Sequence, residues 1–279
     1  MTFSIVARAG DAYGVAVASK FIAVGSVVPA ARIEVGAVAT QAMAKVSYRE
    51  DVLDLLELGV DAATAVARVT AADEGRAHRQ LGVVSATSQA TYTGSECMAW
   101  AGGRAGGDTS GRYAIQGNIL TGEEVVVGME RAWLDSAGMP LPRRLLAALL
   151  AGDAAGGDSR GRQGAAIHVV QRGTGYDASG VLVDLRVDDH PDAPAELARL
   201  LDLHDLFFGE PEDVQPLTGE LAAEVSSRLA VLGHAGATAY AALEAWSGVE
   251  NYEMLLSPGG IDARVLAALR AATPDSPTS

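Results

Sequence analysis

The sequence predicts an α+β domain followed by a small all-α domain. Three features carry that expectation. The chain opens on alternating apolar residues, its helical segments come in pairs between groups of strands, and a break near residue 209 is followed by helical patterning alone. Grouped strands and grouped helices, in place of a regular strand–helix alternation, point to packed layers of an α+β fold.

In chain order, Phe3, Ile5 and Ala7 alternate with Thr2, Ser4 and Arg8, which marks a first strand. A turn around Ala9–Gly14 leads to a return strand in which Val15, Val17 and Ser19 alternate with Ala16, Ala18 and Lys20. One face of this hairpin is expected to present Thr2, Ser4 and Lys20. Val35–Thr40 is a further strand. Apolar residues at helical spacing through 49–72, interrupted at Gly59, predict two helices. Leu81–Ser85 and Gln89–Thr93 read as a hairpin, and Arg112–Gln116 as a strand leading into Gly117–Asn118. Helices are expected at Glu123–Ser136 and Arg143–Ala151, strands at Gly164–Gln171 and Gly180–Val187, and a helix over Ala193–Phe207. The first domain thus covers 1–208. Two prolines, one glycine and three acids in 209–216 suit a linker. Residues 217–271 read as three short helices, and 272–279 as a disordered tail.

Composition narrows the function. Twenty-one Lys and Arg against 35 Asp and Glu give a net charge of −14, a field that repels nucleic acid. Residues 210–279 hold ten acids against three bases. A single cysteine, Cys97, leaves no internal disulfide and no Cys-based zinc cluster. The opening residues carry no secretory signal pattern and no run is long and apolar enough to span a membrane, so a cytoplasmic location is expected. With 32 glycines and only 5% aromatics, the core must be built from small aliphatic residues in close backbone contact.

Thr2 is the foremost chemical candidate. A small second residue permits removal of the initiator Met, leaving a threonine with a hydroxyl and a free α-amine. That amine, with an ordinary pKa of about 7.7–8.0, can take the hydroxyl proton itself. Lys20 on the paired strand could depress both pKa values, while Asn118 could offer its amide to an oxyanion. The Gly-rich loop carrying Asp158, Arg160 and Gln163 could bind an anion through backbone N–H groups and guanidinium. In Val183–His190, alternation places Asp184, Arg186 and Asp188 on one face; Asp188, Asp189 and His190 have the chemistry of divalent-cation ligands, though a salt-bridge ladder is the commoner use of such a face. His168, inside an apolar strand, reads as a satisfied core histidine, and Cys97 as a small buried hydrophobe.

The blocks MTFSIVARAGDAYGVAVASKFIAVGSVVPAA, GAVATQA, YAIQGNIL, AGGDSRGRQGAA and VDLRVDDHPDAP, in that order, resemble the bacterial domain of unknown function 1028 family. The resemblance runs from Thr2 to about Phe208. It implies a four-layer αββα sandwich of N-terminal-nucleophile hydrolase type, with Thr2 as nucleophile, Lys20 as the pKa-tuning cation and Asn118 as oxyanion donor. Two departures stand out: Gly164 where the family usually has Ser, and Lys45–Tyr48 where it has Asn-Pro-Ser-Tyr. Residues 213–271, with TGELAAEVSSRLAVLGH and ALEAWSGVENYE, look like the small helical domain, labelled peptidoglycan-binding, that often follows it.

The expectation is therefore an amidohydrolase acting on a small amide or related C–N bond, with no cofactor and no metal. Ser4, Gln41, Asp158, Arg160, Gln163, Asp184 and Arg186 are the substrate-binding candidates, the loop and Arg186 holding a substrate carboxylate. The alternative is a non-catalytic scaffold whose helical module binds a partner or a muropeptide, or drives homo-oligomerisation.

Overall fold

The computed structural model describes residues 2–274. Two compact units make up the chain, divided between Leu200 and Leu201. The first begins with β1 (Thr2–Ala9) and β2 (Ala12–Ser19), joined by a two-residue turn in which Gly10 takes the left-handed φ of +60°. The turn is tighter than the sequence suggested because that glycine lets both strands run to its edge. There follow α1 (Val24–Val27), β3 (Pro29–Arg32), β4 (Gly36–Ala42), α2 (Tyr48–Glu57), α3 (Ala62–Ala71), β5 (Arg79–Ser85) and β6 (Gln89–Thr93). Next come β7 (Gly102–Asp108), β8 (Gly111–Asn118), α4 (Glu124–Asp135), α5 (Leu141–Ala154), β9 (Gly164–Val170), β10 (Val181–Val187) and α6 (Ala193–Phe208).

Both sheets are antiparallel throughout. One has the order β10-β9-β2-β1-β8-β7 and the other β3-β4-β5-β6. Val6, Val15 and Val17 of the first sheet meet Ala37, Ala39 and Val84 of the second in one buried cluster, so these faces pack on each other. The second sheet turns Val38, Leu81 and Val83 toward Tyr48, Val52, Leu56 and Ala65 of α2 and α3. On the first sheet, α5 lies against β1 and β2, and α4 pairs with α5. The central strands β1, β2, β4, β5, β8 and β9 are buried on both sides, which explains the runs of Ala and Val where a half-exposed strand would alternate.

Strand β7 is absent from the sequence reading, since Gly-Gly-Arg-Ala-Gly-Gly-Asp has little strand propensity. It exists because its glycines are floors for neighbouring rings. A Cβ on Gly106 would come 2.5 Å from the Tyr113 hydroxyl, and one on Gly102 would come 2.7 Å from the Trp100 ring.

The second unit contains the last part of α6, then β11 (Gln215–Pro216), α7 (Gly219–Val231), α8 (Ala239–Glu250), β12 (Gly260–Ile261) and α9 (Ala263–Ala272). Val225, Leu229, Leu243, Trp246, Val265 and Leu269 form its core, with Leu206 of α6 packed against it. The stretch expected as a linker is thus structured at its end, where β11 pairs with β12. Upstream of it, the buried Asp262 carboxylate accepts from the Glu212 backbone N–H at 2.7 Å and from Arg264. Of the expected tail, Ala272 closes α9 and Thr273 is buried, its hydroxyl donating to the Leu269 carbonyl at 2.7 Å; residues 275–279 lie outside the described residues.

On this unit, Glu224 accepts hydrogen bonds from Arg270 and Arg228, each at 2.8 Å, and these, Arg270 foremost, hold its carboxyl down at about 2. A depressed carboxyl adds stability above its ordinary value of 4.5 and loses it as the pH falls toward about 2. The melting temperature of Glu224→Gln should therefore depend less on pH across that window than the wild type's, and parallel curves would contradict the assignment.

Candidate functional site

The ends of several strands meet at one end of the first unit. Thr2 begins β1, Ser19 ends β2, Asn118 ends β8 and Gly164 begins β9; Gln41 and Gln80 sit one residue from the matching ends of β4 and β5. Register fixes the rest. Thr2 pairs with Asn118, Phe3 pairs with Ala18, and Ser19 pairs with Gly164, so Asn118, Thr2, Ser19 and Gly164 form one row across four strands. Side chains alternate along a strand, so Thr2 and Ser4 face the second sheet with Val6, while Phe3 and Ile5 face the helices.

Seven polar side chains gather there: Thr2, Ser4, Ser19, Gln41, Gln80, Gln116 and Asn118, none more than 6% exposed. Burial of that much polarity is tolerable only when hydrogen-bonded. The Thr2 and Ser19 hydroxyl oxygens lie 3.1 Å apart. Ser4 donates to Gln41 Oε1 and accepts from Gln116 Nε2, both at 2.6 Å. Gln41 Nε2 donates to Gln80 Oε1 at 2.7 Å and to the Thr2 and Gln116 carbonyls at 3.2 Å. Gln80 Nε2 in turn donates to the Gly117 carbonyl at 2.7 Å and to Thr93 Oγ1 at 2.9 Å. Asn118 Nδ2 donates to Gln80 Oε1 at 3.0 Å, which uses one of its two amide hydrogens and fixes the direction of the other. The network thus ties the backbone of Thr2 to both sheets. Gln116 fits only because residue 82 is glycine: a Cβ there would lie 2.0 Å from Gln116 Oε1.

The backbone around this end is strained. Ala42, directly after Gln41, has φ +68°, and Ile119, directly after Asn118, has φ +49°. A β-branched residue in that region is a conformational outlier costing about 1–3 kcal/mol. The Ile119 conformation is held by bonds from its N–H to the Met98 carbonyl and from the Ser159 N–H to its own carbonyl. Strain held in place on both sides of a buried polar cluster favours a functional site over a packing accident.

Beside the row lies a cavity of about 300 Å³ whose wall includes Phe3, Ala18, Ser19, Gly156, Gly164 and Pro194. Ser19 belongs to both: its hydroxyl meets Thr2 and it lines the cavity.

Of the residues expected to act, Thr2, Ser4, Gln41 and Asn118 are brought together. Lys20 is not. It follows the end of β2, its ammonium is exposed and donates to the Arg162 carbonyl at 3.2 Å, and Ser19 occupies the position across from Thr2. The reason is register: one residue beyond Ser19 is off the strand. Asp158 is buried but occupied, accepting from the Lys20 N–H at 2.7 Å, the Arg160 N–H at 2.9 Å and the Arg160 guanidinium. Gln163 donates to Asp189 at 3.1 Å. Arg186 shares the face of Ser4, but two strands stand between them, about 14 Å at sheet spacing, and its side chain covers Gly25. Asp184, on the same outer strand β10 as Arg186, pairs with His168 of β9. His168 is not satisfied as expected: its buried Nδ1 has no hydrogen-bond partner and lies 4.0 Å from Asp184, and burial holds its pKa below the ordinary value against the pull of that carboxylate. The Cys97 thiol, half-buried, donates weakly to the Arg79 carbonyl. Lys45 and Tyr48 belong to a separate cluster, in which the buried Tyr48 hydroxyl donates to Asp73 at 2.7 Å and Lys45 lies over the Tyr48 ring. Asp188, Asp189 and His190 do not converge; among the described residues no group of three His, Cys, Asp or Glu is placed to hold a metal ion.

Sequence reasoning missed Ser19 as a partner of Thr2, and Gln80 and Gln116 altogether. A lone glutamine inside an apolar strand, as in Arg-Gln-Leu-Gly-Val-Val and Tyr-Ala-Ile-Gln-Gly, was the available signal.

Fold and site define a mixed α/β protein of two antiparallel sheets with a C-terminal helical region. Residues 2–197 match the model described as "Family of unknown function (DUF1028)", and the chain belongs to that family. Residues 206–269 match a second model, "Putative peptidoglycan binding domain". The crystal structure of protein SPO2555 from Silicibacter pomeroyi, itself assigned to DUF1028, is similar at 30% identity and a TM-score of 0.64, covering 79% of this chain and 91% of that one. No curated protein matches the chain.

Proposed function

We propose that the first unit is an αββα sandwich of N-terminal-nucleophile hydrolase type that hydrolyses a small amide or related C–N bond through Thr2. The observation that carries the reading is the placement of Thr2: first in its strand, between the two sheets, its hydroxyl bonded to Ser19 and its carbonyl to Gln41. Removal of residue 1 exposes the α-amine beside that hydroxyl. Thr2 Oγ1 attacks the carbonyl carbon, and the amine accepts the hydroxyl proton. The free amide hydrogen of Asn118 stabilises the oxyanion. Collapse breaks the C–N bond, the ammonium returns the proton to the leaving nitrogen, and water then cleaves the acyl ester with the amine again as base. Ser19 orients the nucleophile. Lys20, solvent-exposed, contributes only a screened charge.

The first test is the intact mass of protein carrying no N-terminal tag. A mass lacking one methionine satisfies the mechanism's requirement, and a retained residue 1 removes the amine-as-base step. For the second unit, the description of its family model supports a cell-wall-related ligand. Calorimetric titration of the full chain with a soluble muropeptide should give saturable heat; a flat titration discards that ligand.

A further inference from the structure

We infer that Gln80 is a positioning residue of the site: it sets which end of the Asn118 amide faces a substrate carbonyl, without touching substrate itself. The inference rests on the Thr2 reading for the reaction, but not for the direction in which Asn118 points.

That direction follows from groups that cannot change roles. Gln80 is the second residue of β5, fully buried, and pairs with Gln41 of β4 and Thr93 of β6. Its Nε2 faces the Gly117 carbonyl at 2.7 Å, the Gly102 carbonyl at 3.2 Å and the Thr93 hydroxyl at 2.9 Å. A backbone carbonyl only accepts, so the amide nitrogen must stay on that side. Gln80 Oε1 is thereby turned toward Gln41 and Asn118, and both must present N–H to it. Gln41 is held to that role by two further carbonyls, those of Thr2 and Gln116. With Gln41 Nε2 at 2.7 Å on one lone pair of Gln80 Oε1, Asn118 Nδ2 fills the other at 3.0 Å.

Among the described residues, the Asn118 side chain has no other hydrogen bond. Without Gln80 its amide can turn over and bring Oδ1 to where the free N–H stood. An oxygen there repels the developing oxyanion that the N–H would stabilise. Gln80 belongs to the second sheet and Asn118 to the first, so this one bond also aligns the donor across the sandwich.

Two substitutions separate this role from packing. Gln80→Met removes the acceptor, whereas Gln80→Glu keeps an oxygen toward Asn118 but sets its second one against the Gly117 and Gly102 carbonyls. Both proteins should melt below the wild type. On an amide that the wild type turns over, Gln80→Met should lower kcat by about tenfold or more at unchanged KM, while Gln80→Glu retains most of it. In an Asn118→Ala background Gln80→Met should cost nothing further, because a residue acting through Asn118 has nothing left to act on. NMR of the full chain reads the direction itself, from the two side-chain amide hydrogens of Asn118, identified as the pair missing in Asn118→Ala. In the wild type and in Gln80→Glu one of them should exchange with solvent more slowly than the other; in Gln80→Met the two should exchange alike. Equal exchange in the wild type, a pattern unaltered in Gln80→Met, equal loss of kcat in the Met and Glu variants, or an additive loss in the double variant would overturn the inference. A wild type inert toward every amide tried sinks the hydrolase reading instead, and the exchange comparison still decides the role of Gln80.

Discussion

Replacing Thr2 with alanine should leave a folded protein whose turnover falls by about a thousandfold or more. The magnitude follows from the chemistry, since removal of a nucleophile that forms the covalent intermediate costs at least that factor in hydrolases. Stability should hardly move. Alanine fits a strand position packed between sheets, the Thr2 carbonyl that Gln41 binds is untouched, and the lost bond to Ser19 is worth about 0.5–1.5 kcal/mol. Thr2→Ser keeps a hydroxyl on the same carbon and should retain much of the rate. The measurement is turnover of whichever amide in a fixed panel the wild type cleaves fastest, with the melting temperature alongside. Undiminished turnover in Thr2→Ala ends the nucleophile reading, and a wild type inert toward every amide in the panel ends the amidohydrolase reading. Asn118→Ala extends the logic: a lost oxyanion donor should lower kcat by about 10²–10³.

Much of the fold was legible because periodicity and turn residues survive without tertiary context. The helix pair either side of Gly59, the hairpin closed at Ala86–Ser88 and the helix from Ala193 all appear where spacing put them. What escaped depends on neighbours. β7 is a strand only because Trp100 and Tyr113 rest on its glycines. β11 has two residues and exists because Gly260–Ile261 lies opposite. In the site, Thr2 and Asn118 were accessible from their places at strand ends. The choice between Ser19 and Lys20 required a register known to one residue, because a shift of one turns every side chain to the other face. The carboxylate-binding role given to Asp158 and Arg160 failed to anticipate that they would bind each other, two residues apart in a turn.

A large stability effect should come from Gln41, although it touches no reacting atom. It accepts from Ser4 and donates to three acceptors: the Thr2 carbonyl, Gln80 Oε1 and the Gln116 carbonyl. Gln41→Ala would remove all four bonds, leaving the Ser4 hydroxyl without its acceptor and Gln80 Oε1 with Asn118 alone, where each unsatisfied buried group costs about 1–3 kcal/mol. Partial relaxation around the cavity limits the total to about 3–5 kcal/mol, read as a shift in the denaturant midpoint at unchanged slope. Gln41→Glu separates hydrogen bonding from shape. An ionised carboxylate fills the same space but cannot donate, and it would face three oxygens. Burial and those oxygens must raise its folded-state pKa well above the unfolded value of about 4.3. A raised pKa means that stability is greatest below the unfolded value and drains away as the pH rises through the folded one. Gln41→Glu should therefore grow more stable relative to the wild type on acidification from pH 7 toward 5, while Gln41→Ala should run parallel to it. A wild-type-minus-Glu difference that is flat with pH would show that Gln41 fills space without donating. The link between the two sheets, and the placement of Thr2 that depends on it, would then need another origin.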